Sequence, residues 1–463
     1  MSHEERIRGR RIGILGMARS GMASARLAAR LGGRPFVSDA APEARLHAQC
    51  DELASLDIPF ETGGHTEKLL ASDYLVVSPG VLLTLDILRQ AQAKGLPIFS
   101  EIEFASWVCP GRMAAITGAN GKTTTTTLIG EILTAAGLDT HVCGNIGLPL
   151  ADVVARMAPH SVAVIEVSSF QLDTIADFKP NVAAILNITP DHIDRHGSFD
   201  AYKQAKYRIT ENQDDSDVLI LNRDDAVTMA GPPETRARLT CFSAQALSDC
   251  SAWVAEDSLW MARDGRPTLV LPCREITIKG PHNLQNAAAA AAVATQFGVD
   301  PATIARVLRS FAGVEHRLER AGMVAGVQFI NDSKATNVDS VAWALRSVET
   351  PLHLILGGRD KGGQFEDLIE LGRGKIRNII VIGEARQKIL EALGRNFPTQ
   401  FAQSLEEAVE MCFALAHPGE TVLLSPGCAS FDMFDNYEHR GRVFKASVAA
   451  LKNGTNHVPA NHG

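Results

Sequence analysis

The sequence predicts an α/β protein of three domains, each built on a mainly parallel sheet. Three observations carry this. Short apolar runs of strand length alternate with helix-length segments along the chain, as βα units do and hairpins do not. A glycine-rich run, Ile116-Thr117-Gly118-Ala119-Asn120-Gly121-Lys122-Thr123, joins one such strand to one such helix. The chain has 463 residues, 45% of them hydrophobic, which is ample for about three cores.

The first block, 1–108, opens with a strand at 11–16, a turn at 17–20 and a helix at 21–31, and continues with strands at 35–38 and 74–78. This is a small doubly wound, Rossmann-like domain. Its first turn, Gly13-Ile14-Leu15-Gly16-Met17-Ala18-Arg19-Ser20-Gly21, approaches the dinucleotide fingerprint but is not G-x-G-x-x-G. With Asp39 after the second strand, it fits a nicotinamide dinucleotide, another diphosphate such as a uridine diphosphate, or no ligand.

The second block, 109–313, carries strands at 113–116, 161–167, 182–187 and 218–221. Its helix at 123–136 is stopped by Gly137. Five threonines open that helix, a poor choice on propensity that makes sense if the first turn faces a ligand. β-like pieces at 239–243, 253–254 and 269–271 suggest a small antiparallel patch, and the alanine-rich 286–294 a close-packing helix. The whole is a P-loop ATPase-like domain with a mainly parallel sheet. A glycine-rich turn at a helix start offers backbone N–H groups and the positive helix end to phosphate. Lys122 can reach the outer phosphates and the Thr123 hydroxyl can ligate Mg²⁺. Ile116 occupies the first glycine position of the full motif, so a plain helix-capping turn is the other reading.

In open α/β sheets, ligands bind beyond the carboxyl ends of the strands. Two neighbouring strand ends, Glu166-Val167-Ser168-Ser169 and Asn187-Ile188-Thr189-Pro190-Asp191-His192-Ile193-Asp194, fall on the edge of the glycine-rich turn. Thr123 and Glu166 suit a nucleotide-bound Mg²⁺, which prefers hard oxygen ligands, and His192 could join a second site. Alternatively, Glu166 caps a loop and His192 is a turn histidine bonded to backbone.

The third block, 314–463, has strands at 327–330, 352–356, 376–382 and 422–424 and a helix at 338–348, a dinucleotide-fold-like domain. Three clusters fall on its ligand edge: Asn331-Asp332-Ser333-Lys334-Ala335-Thr336-Asn337, Gly357-Gly358-Arg359-Asp360-Lys361 and Ser425-Pro426-Gly427-Cys428-Ala429-Ser430. Lysines and hydroxyls there suit a carboxylate-bearing substrate. Arg317, just before the domain, could reach a nucleotide when domains close.

A formal charge of −8 argues against nucleic acid. Eight cysteines without a C-x-x-C pair read as reduced thiols of a cytosolic enzyme rather than a disulfide or zinc framework. Residues 1–11 are too polar for a signal peptide, and no apolar run is long enough to span a bilayer. A soluble, cytoplasmic protein without membrane insertion is expected.

Four segments together resemble the Mur ligase family of ATP-dependent amide-forming enzymes: the glycine-rich loop, Glu166-Val167-Ser168-Ser169, Asp191-His192-Ile193-Asp194-Arg195 and His282-Asn283-Leu284-Gln285-Asn286. Within it, the 331–337 segment, Leu424-Ser425-Pro426-Gly427-Cys428-Ala429-Ser430-Phe431-Asp432 and the Gly144-Asn145-Ile146-Gly147 turn look like the branch that adds D-glutamate to UDP-N-acetylmuramoyl-L-alanine. The resemblance spans nearly the whole chain. It implies a monomeric enzyme acting on small molecules, with ATP and two Mg²⁺ sites. The first domain would hold the uridine substrate through Arg19, Ser20, Asp39 and Gly80, and Asn145, Ser168, Gln171 and His192 would line its far end. Gly118, Asn120, Gly121, Lys122, Thr123, Thr124, Asn283, Asn286, Arg317 and Asp332 would bind ATP. Lys334, Thr336, Lys361, Ser430 and Phe431 would form the D-glutamate pocket. Lys206 matches the position this family carbamylates with CO₂, and the carbamate would join Thr123, Glu166 and His192 as metal ligands; from the letters alone Lys206 is a surface helix lysine. Lys122, His192 and Lys206 are the implied catalytic residues.

The implied reaction activates the L-alanine carboxylate as an acyl phosphate, which the D-glutamate amine then attacks; His192 or the Lys206 carbamate would take the amine proton. A sister ligase of the family shares this chemistry. A dinucleotide-dependent oxidoreductase would leave the phosphate loop unexplained, and a nucleotide sensor would bind ATP without releasing phosphate.

Overall fold

The computed structural model describes residues 3–245 and 250–455. Five parallel strands form the first sheet in the order β3-β2-β1-β4-β5. They are β1 (Arg11–Leu15), β2 (Arg34–Ser38), β3 (Phe60–Glu61), β4 (Tyr74–Val77) and β5 (Ile98–Ser100). The order reverses between β1 and β4, and such a switch point opens a crevice at the carboxyl ends of the strands.

The second sheet contains β6 (Arg112–Thr117), β7 (Thr140–Gly144), β8 (Val162–Glu166), β9 (Val182–Ile185), β10 (Val218–Asn222), β11 (Arg238–Ser243), β12 (Ala252–Ala255), β13 (Ser258–Arg263) and β14 (Arg266–Pro272). Their order is β14-β13-β12-β11-β10-β9-β6-β8-β7. β6 lies between β8 and β9, parallel to both, so the three strand ends named in the sequence share one edge. The strands around β6 are buried on both faces and read as near-continuous apolar runs. The third sheet contains β15 (Glu319–Val324), β16 (Val327–Asn331), β17 (Leu352–Gly357), β18 (Ile376–Ile382), β19 (Thr399–Phe401) and β20 (Thr421–Leu424), ordered β15-β16-β20-β17-β18-β19. Only β15 pairs antiparallel in it. β16, β20 and β17 are adjacent, which sets the three clusters of this block side by side.

The described residues form two compact units. One comprises Met1–Pro190, Gly197–Ile276 and Leu284–Ser310 and holds the first two sheets; the other comprises Asp191–His196, Thr277–Asn283 and Phe311–Gly463 and holds the third. Within the first unit, two buried carboxylates on the helix Glu101–Ser106 tie sheet to sheet. Glu103 accepts hydrogen bonds from Trp107 Nε1 (2.7 Å) and from the backbone N–H groups of Ala176, Asp177 and Phe178 (3.0, 2.9 and 2.7 Å). Glu101 accepts one from Ala151 N at 2.7 Å.

The structure corrects the sequence reading in four places. The helix expected at 21–31 is Arg19–Arg30, beginning inside the supposed turn. Residues 239–243 belong to β11, which pairs parallel with β10 and β12; the antiparallel patch is β12-β13-β14, continuous with the main sheet. Six strands went unanticipated: β3, β5, β7, β13, β15 and β19. All but β13, a six-residue strand between β14 and β12 that is only partly buried, are short or at sheet margins, and most bury too little of themselves to give an apolar run. Cys241 and Cys250 form a disulfide, where reduced thiols were expected; β11 brings Cys241 beside the segment that enters β12, which spacing alone does not reveal.

Candidate active site

β6 ends at Thr117 and the helix Lys122–Ala135 begins four residues beyond Gly118. Gly118 and Gly121 hold φ of +156° and +82°, values that disfavour any side chain. A Cβ on Gly121 would lie 2.5 Å from Asn286 Oδ1, and one on Gly118 3.0 Å from Leu186 Cβ. The loop therefore has to present bare backbone. Gly121 is the helix N-cap and, as a glycine, makes no side-chain capping hydrogen bond; a positive helix end of this kind suits an anionic ligand.

Asn187, just beyond β9, clamps the loop. Its carbonyl accepts from Ala119 N (3.0 Å), its Oδ1 from Asn120 N (2.8 Å), and its Nδ2 donates to Asn120 O (3.1 Å). Sequence reasoning quoted Asn187 only as the start of a strand-end run and gave it no role. Asn286 supports the loop from below, its Oδ1 accepting from Thr125 Oγ1 at 3.2 Å. The alanine-rich helix Pro281–Thr295 is buried all round from Asn286 to Ala294, and its small side chains permit that approach. Thr123 and Thr124 are buried in the first helical turn.

Two ammonium groups meet at one carbonyl. Lys122 Nζ donates to Gly118 O and Ala119 O, both at 2.8 Å. Lys206 Nζ donates to Gly118 O at 2.9 Å and lies 4.6 Å from the Tyr202 ring centre. Lys206 is 1% exposed, not the surface lysine that its helix, Phe199–Tyr207, suggests from letters.

Glu166 closes β8 and is buried. Its Oε1 accepts from Asn145 Nδ2 and its carbonyl from Asn145 N, both at 2.9 Å. Ser168 caps the next short helix reciprocally with Gln171. Gln171 Oε1 accepts from Ser168 N and Oγ (3.0 and 2.9 Å), and its buried Nε2 has no hydrogen-bond partner among the described residues. A buried donor of this kind asks for an acceptor. The first sheet contributes from the same unit: Arg19 donates to Gly147 O at 3.2 Å, bringing its turn to the one that carries Asn145. Ser20 is half-buried beside it, and Gly80 is exposed after β4. Both Asp39 oxygens serve their own loops, accepting from Met17 N (2.6 Å) and Ala41 N (2.8 Å).

This donor set fits a nucleoside triphosphate with Mg²⁺. The bare loop and open helix end suit phosphate oxygens, and a buried threonine hydroxyl and carboxylate suit a hard cation.

The second unit holds the rest. His192 has φ +54°, uncommon for a side-chain-bearing residue and typical of functional loops. Its backbone N donates to Asp191 Oδ1 (2.9 Å), and Asn337 Nδ2 holds Asp191 Oδ2 (3.0 Å). Asn283 donates to Lys279 O at 2.8 Å and falls in this unit, whereas Asn286 falls in the other. Asp332 is buried after β16, accepting from Leu318 N (3.2 Å) and Ser425 Oγ (2.8 Å). Burial pushes its carboxyl up to about 6, against the pull of Arg317. Arg317 Nε is buried without a hydrogen-bond partner among the described residues. Lys334 donates its backbone N to His316 O (3.0 Å), and its Nζ lies 5.2 Å from the Tyr437 ring centre. Thr336 and Lys361 are half-buried, Ser430 is buried, and Phe431 is 66% exposed. Sequence reasoning missed Arg440, which lies beneath these loops. Its helix, Tyr437–Thr455, reads as charged and solvated around it: Glu438, His439 and Arg442 are its neighbours.

Three family models match the chain: the Mur ligase MurD-like N-terminal domain over residues 10–100, the Mur ligase middle domain over 116–294, and the Mur ligase glutamate ligase domain over 316–428. Two relatives described as UDP-N-acetylmuramoylalanine–D-glutamate ligases are 43% identical (Trichlorobacter lovleyi) and 42% identical (Koribacter versatilis). Each match covers 96% of this chain and, respectively, 100% and 98% of the relative. Among solved structures, the UDP-N-acetylmuramate-alanine ligase MurC of Thermotoga maritima aligns with a TM-score of 0.60 at 18% identity, covering 96% of this chain and all of that one. MurF ligase of Thermotoga maritima, solved in complex with ADP, aligns with a TM-score of 0.59 at 16% identity, covering 90% of this chain and 95% of its own. At those identities the likeness shows the fold.

Proposed function

The chain belongs to the Mur ligase family, and from that premise we propose that it is an ATP-dependent ligase joining D-glutamate to UDP-N-acetylmuramoyl-L-alanine, a step of peptidoglycan precursor synthesis on which cell shape and division depend. Relatives 40–43% identical over nearly the whole chain support the substrate pair. The observation that carries the chemistry is the bare phosphate loop on which Lys122 and Lys206 converge. The domains are assigned as 1–108 for the uridine substrate, 109–313 for ATP and 314–463 for D-glutamate; each sheet begins and ends inside one of these ranges. No helix among the described residues is long and apolar enough to cross a membrane. The proposed enzyme is a monomer acting on small molecules in the cytoplasm.

The reaction runs in two steps. An oxygen of the terminal L-alanine carboxylate attacks the γ-phosphorus of ATP; the bond to the β-phosphate oxygen breaks, leaving ADP and an acyl phosphate. Lys122 and the loop N–H groups offset charge on the transferring phosphoryl group. Thr123 and Glu166 would hold Mg²⁺, which when bound would supply charge neutralisation at the phosphates. The neutral amine of D-glutamate then attacks the acyl carbon, and phosphate leaves from the tetrahedral intermediate. Lys334, Thr336, Lys361 and Ser430 hold the amino acid's carboxylates, and Phe431 lies against its carbon chain. His192 or the modified Lys206 accepts the amine proton.

Lys206 is assigned as carbamylated: its neutral amine adds to CO₂, a proton is released, and an anionic carbamate results. Two cations on one carbonyl repel each other (like charges disfavour each other's charged form), so exchanging one for an anion relieves the pair and would give a second Mg²⁺ an oxygen ligand. Lys206→Ala should lose at least about 100-fold in kcat while retaining ATP binding, and a carbamate ¹³C signal after labelling with bicarbonate should be present in the parent protein and absent from the variant. A parent protein without that signal under turnover conditions would remove the assignment.

The whole reading is tested by phosphate release from ATP in the presence of UDP-N-acetylmuramoyl-L-alanine, with D-glutamate, L-glutamate or no amino acid. Release is expected with D-glutamate alone. Equal release in all three mixtures would refute the D-glutamate assignment.

A further inference from the structure

Arg440 is the largest fully buried side chain among the described residues, 0% exposed. Arginine is almost never buried unless paired, yet no carboxylate oxygen lies within 4.0 Å of it among the described residues. Its guanidinium is instead spent on loops. Nε donates to Ser333 Oγ (3.0 Å), Nη2 to Ser333 O (2.8 Å), and Nη1 and Nη2 both to Cys428 O (3.2 Å each).

Those acceptors lie in the segments after β16 and β20. Ser333 precedes Lys334, and Cys428 stands two residues before Ser430. The third cluster, after β17, closes on the same group. A Cβ on Gly358 would lie 3.3 Å from Arg440 Nη1 and 2.2 Å from Ala429 O, so only glycine permits the approach. Arg359 and Ala429 exchange backbone hydrogen bonds at 2.9 Å, and Gly427 N donates to Ala335 O at 2.9 Å. One rigid fork thus joins the loops bearing Lys334, Thr336 and Ser430, and the loop bearing Lys361 packs against it and pairs with Ala429.

We propose that Arg440 is a positioning residue for amino-acid selectivity: its planar guanidinium fixes the spacing of two of the loops that hold the D-glutamate carboxylates and gives the third a surface to pack on, without touching the substrate. This rests on the assignment of those loops to D-glutamate. The chemistry favours arginine over lysine. Five N–H donors in one plane can serve three acceptors at fixed angles, whereas an ammonium has three donors and no plane. Burial lowers the guanidinium to about 10, so it stays charged at neutral pH. Selectivity among dicarboxylates depends on where two cationic or hydroxylic groups stand relative to each other, and small misplacements of bound groups cost large factors in rate.

The test is steady-state kinetics on the full chain with each substrate varied in turn. Arg440→Lys keeps a cation and loses the fork; Ser333→Ala removes one acceptor and leaves the buried charge in place. The inference expects KM for D-glutamate to rise about tenfold or more in Arg440→Lys and severalfold in Ser333→Ala, with KM for ATP and for the uridine substrate changing less than about twofold. It also expects the D- over L-glutamate preference to fall in both. An unchanged KM for D-glutamate in folded Arg440→Lys would overturn it; so would equal losses for all three substrates in step with a lowered melting temperature. Should Arg440→Lys not fold, an unchanged KM for D-glutamate in Ser333→Ala overturns it. A parent protein that releases phosphate without needing D-glutamate would instead refute the loop assignment itself.

Discussion

Glu101 has one oxygen satisfied by Ala151 N and one, Oε2, with no hydrogen-bond partner among the described residues. Burial raises its carboxyl to about 7, from about 4.3 in an unfolded chain. The folded state therefore binds this proton more tightly than the unfolded state. The resulting stabilisation is complete below about pH 4 and lost as pH rises through about 7. Glu101→Gln keeps an acceptor for Ala151 and removes the charge. It should raise stability by roughly 1–3 kcal/mol at pH 8, and thermal unfolding at pH 8 and pH 5 should show the gap between variant and parent shrinking at the lower value. Single residues were legible where a strand end fixed their place: Lys122, Thr123 and Glu166 stand at set offsets from β6 and β8. Lys206 was not, because letters do not say which face of Phe199–Tyr207 turns inward; its half-buried neighbour Lys203 reads identically. Arg440 was hidden in the same way, since a buried cation bonded to carbonyls leaves no acidic partner in the sequence.

At the scale of elements, the helix Lys122–Ala135 is bounded by two left-handed glycines with different duties. Gly121 (φ +82°) stands where a Cβ would meet Asn286 Oδ1 at 2.5 Å, while Gly137 (φ +84°) faces open space. Gly137→Ala should cost only about 1 kcal/mol of stability and leave kinetics unchanged. Gly121→Ala adds a collision inside the phosphate loop and should raise KM for ATP about tenfold or more. Melting temperatures and ATP titrations of both variants check the contrast; matching ATP kinetics would contradict it. The central parallel strands were readable because burial on both faces writes an apolar run into the chain. Marginal strands such as β3 and β19 are half-buried or exposed and leave no such trace. The direction of β11 was unreadable for a further reason: parallel and antiparallel neighbours ask for the same side chains, and only the connection decides.

For the whole molecule, three β/α blocks could be counted from the letters, but the clustering of the first two sheets into one unit could not. The stretch Ser100-Glu101-Ile102-Glu103 looks like an acidic helix start in water, yet both glutamates are buried at the seam. Glu103→Ala would strand four donors, Trp107 Nε1 and the N–H groups of Ala176, Asp177 and Phe178. The expected loss is about 3–5 kcal/mol, read by urea denaturation as a lower midpoint; an unchanged midpoint would contradict the seam's importance. The Arg19–Gly147 hydrogen bond lies inside this unit, two residues along the chain from Asn145 and its bond to Glu166. Its consequence is thermodynamic linkage. Where a uridine ligand that orders Arg19 favours the Asn145–Glu166 arrangement proposed to hold Mg²⁺, each ligand tightens the other's binding by the same factor. Such reciprocity favours the complex of both ligands whichever binds first, with no gate required, and equilibrium titrations of a non-hydrolysable ATP analogue, with and without the uridine substrate, would measure the factor.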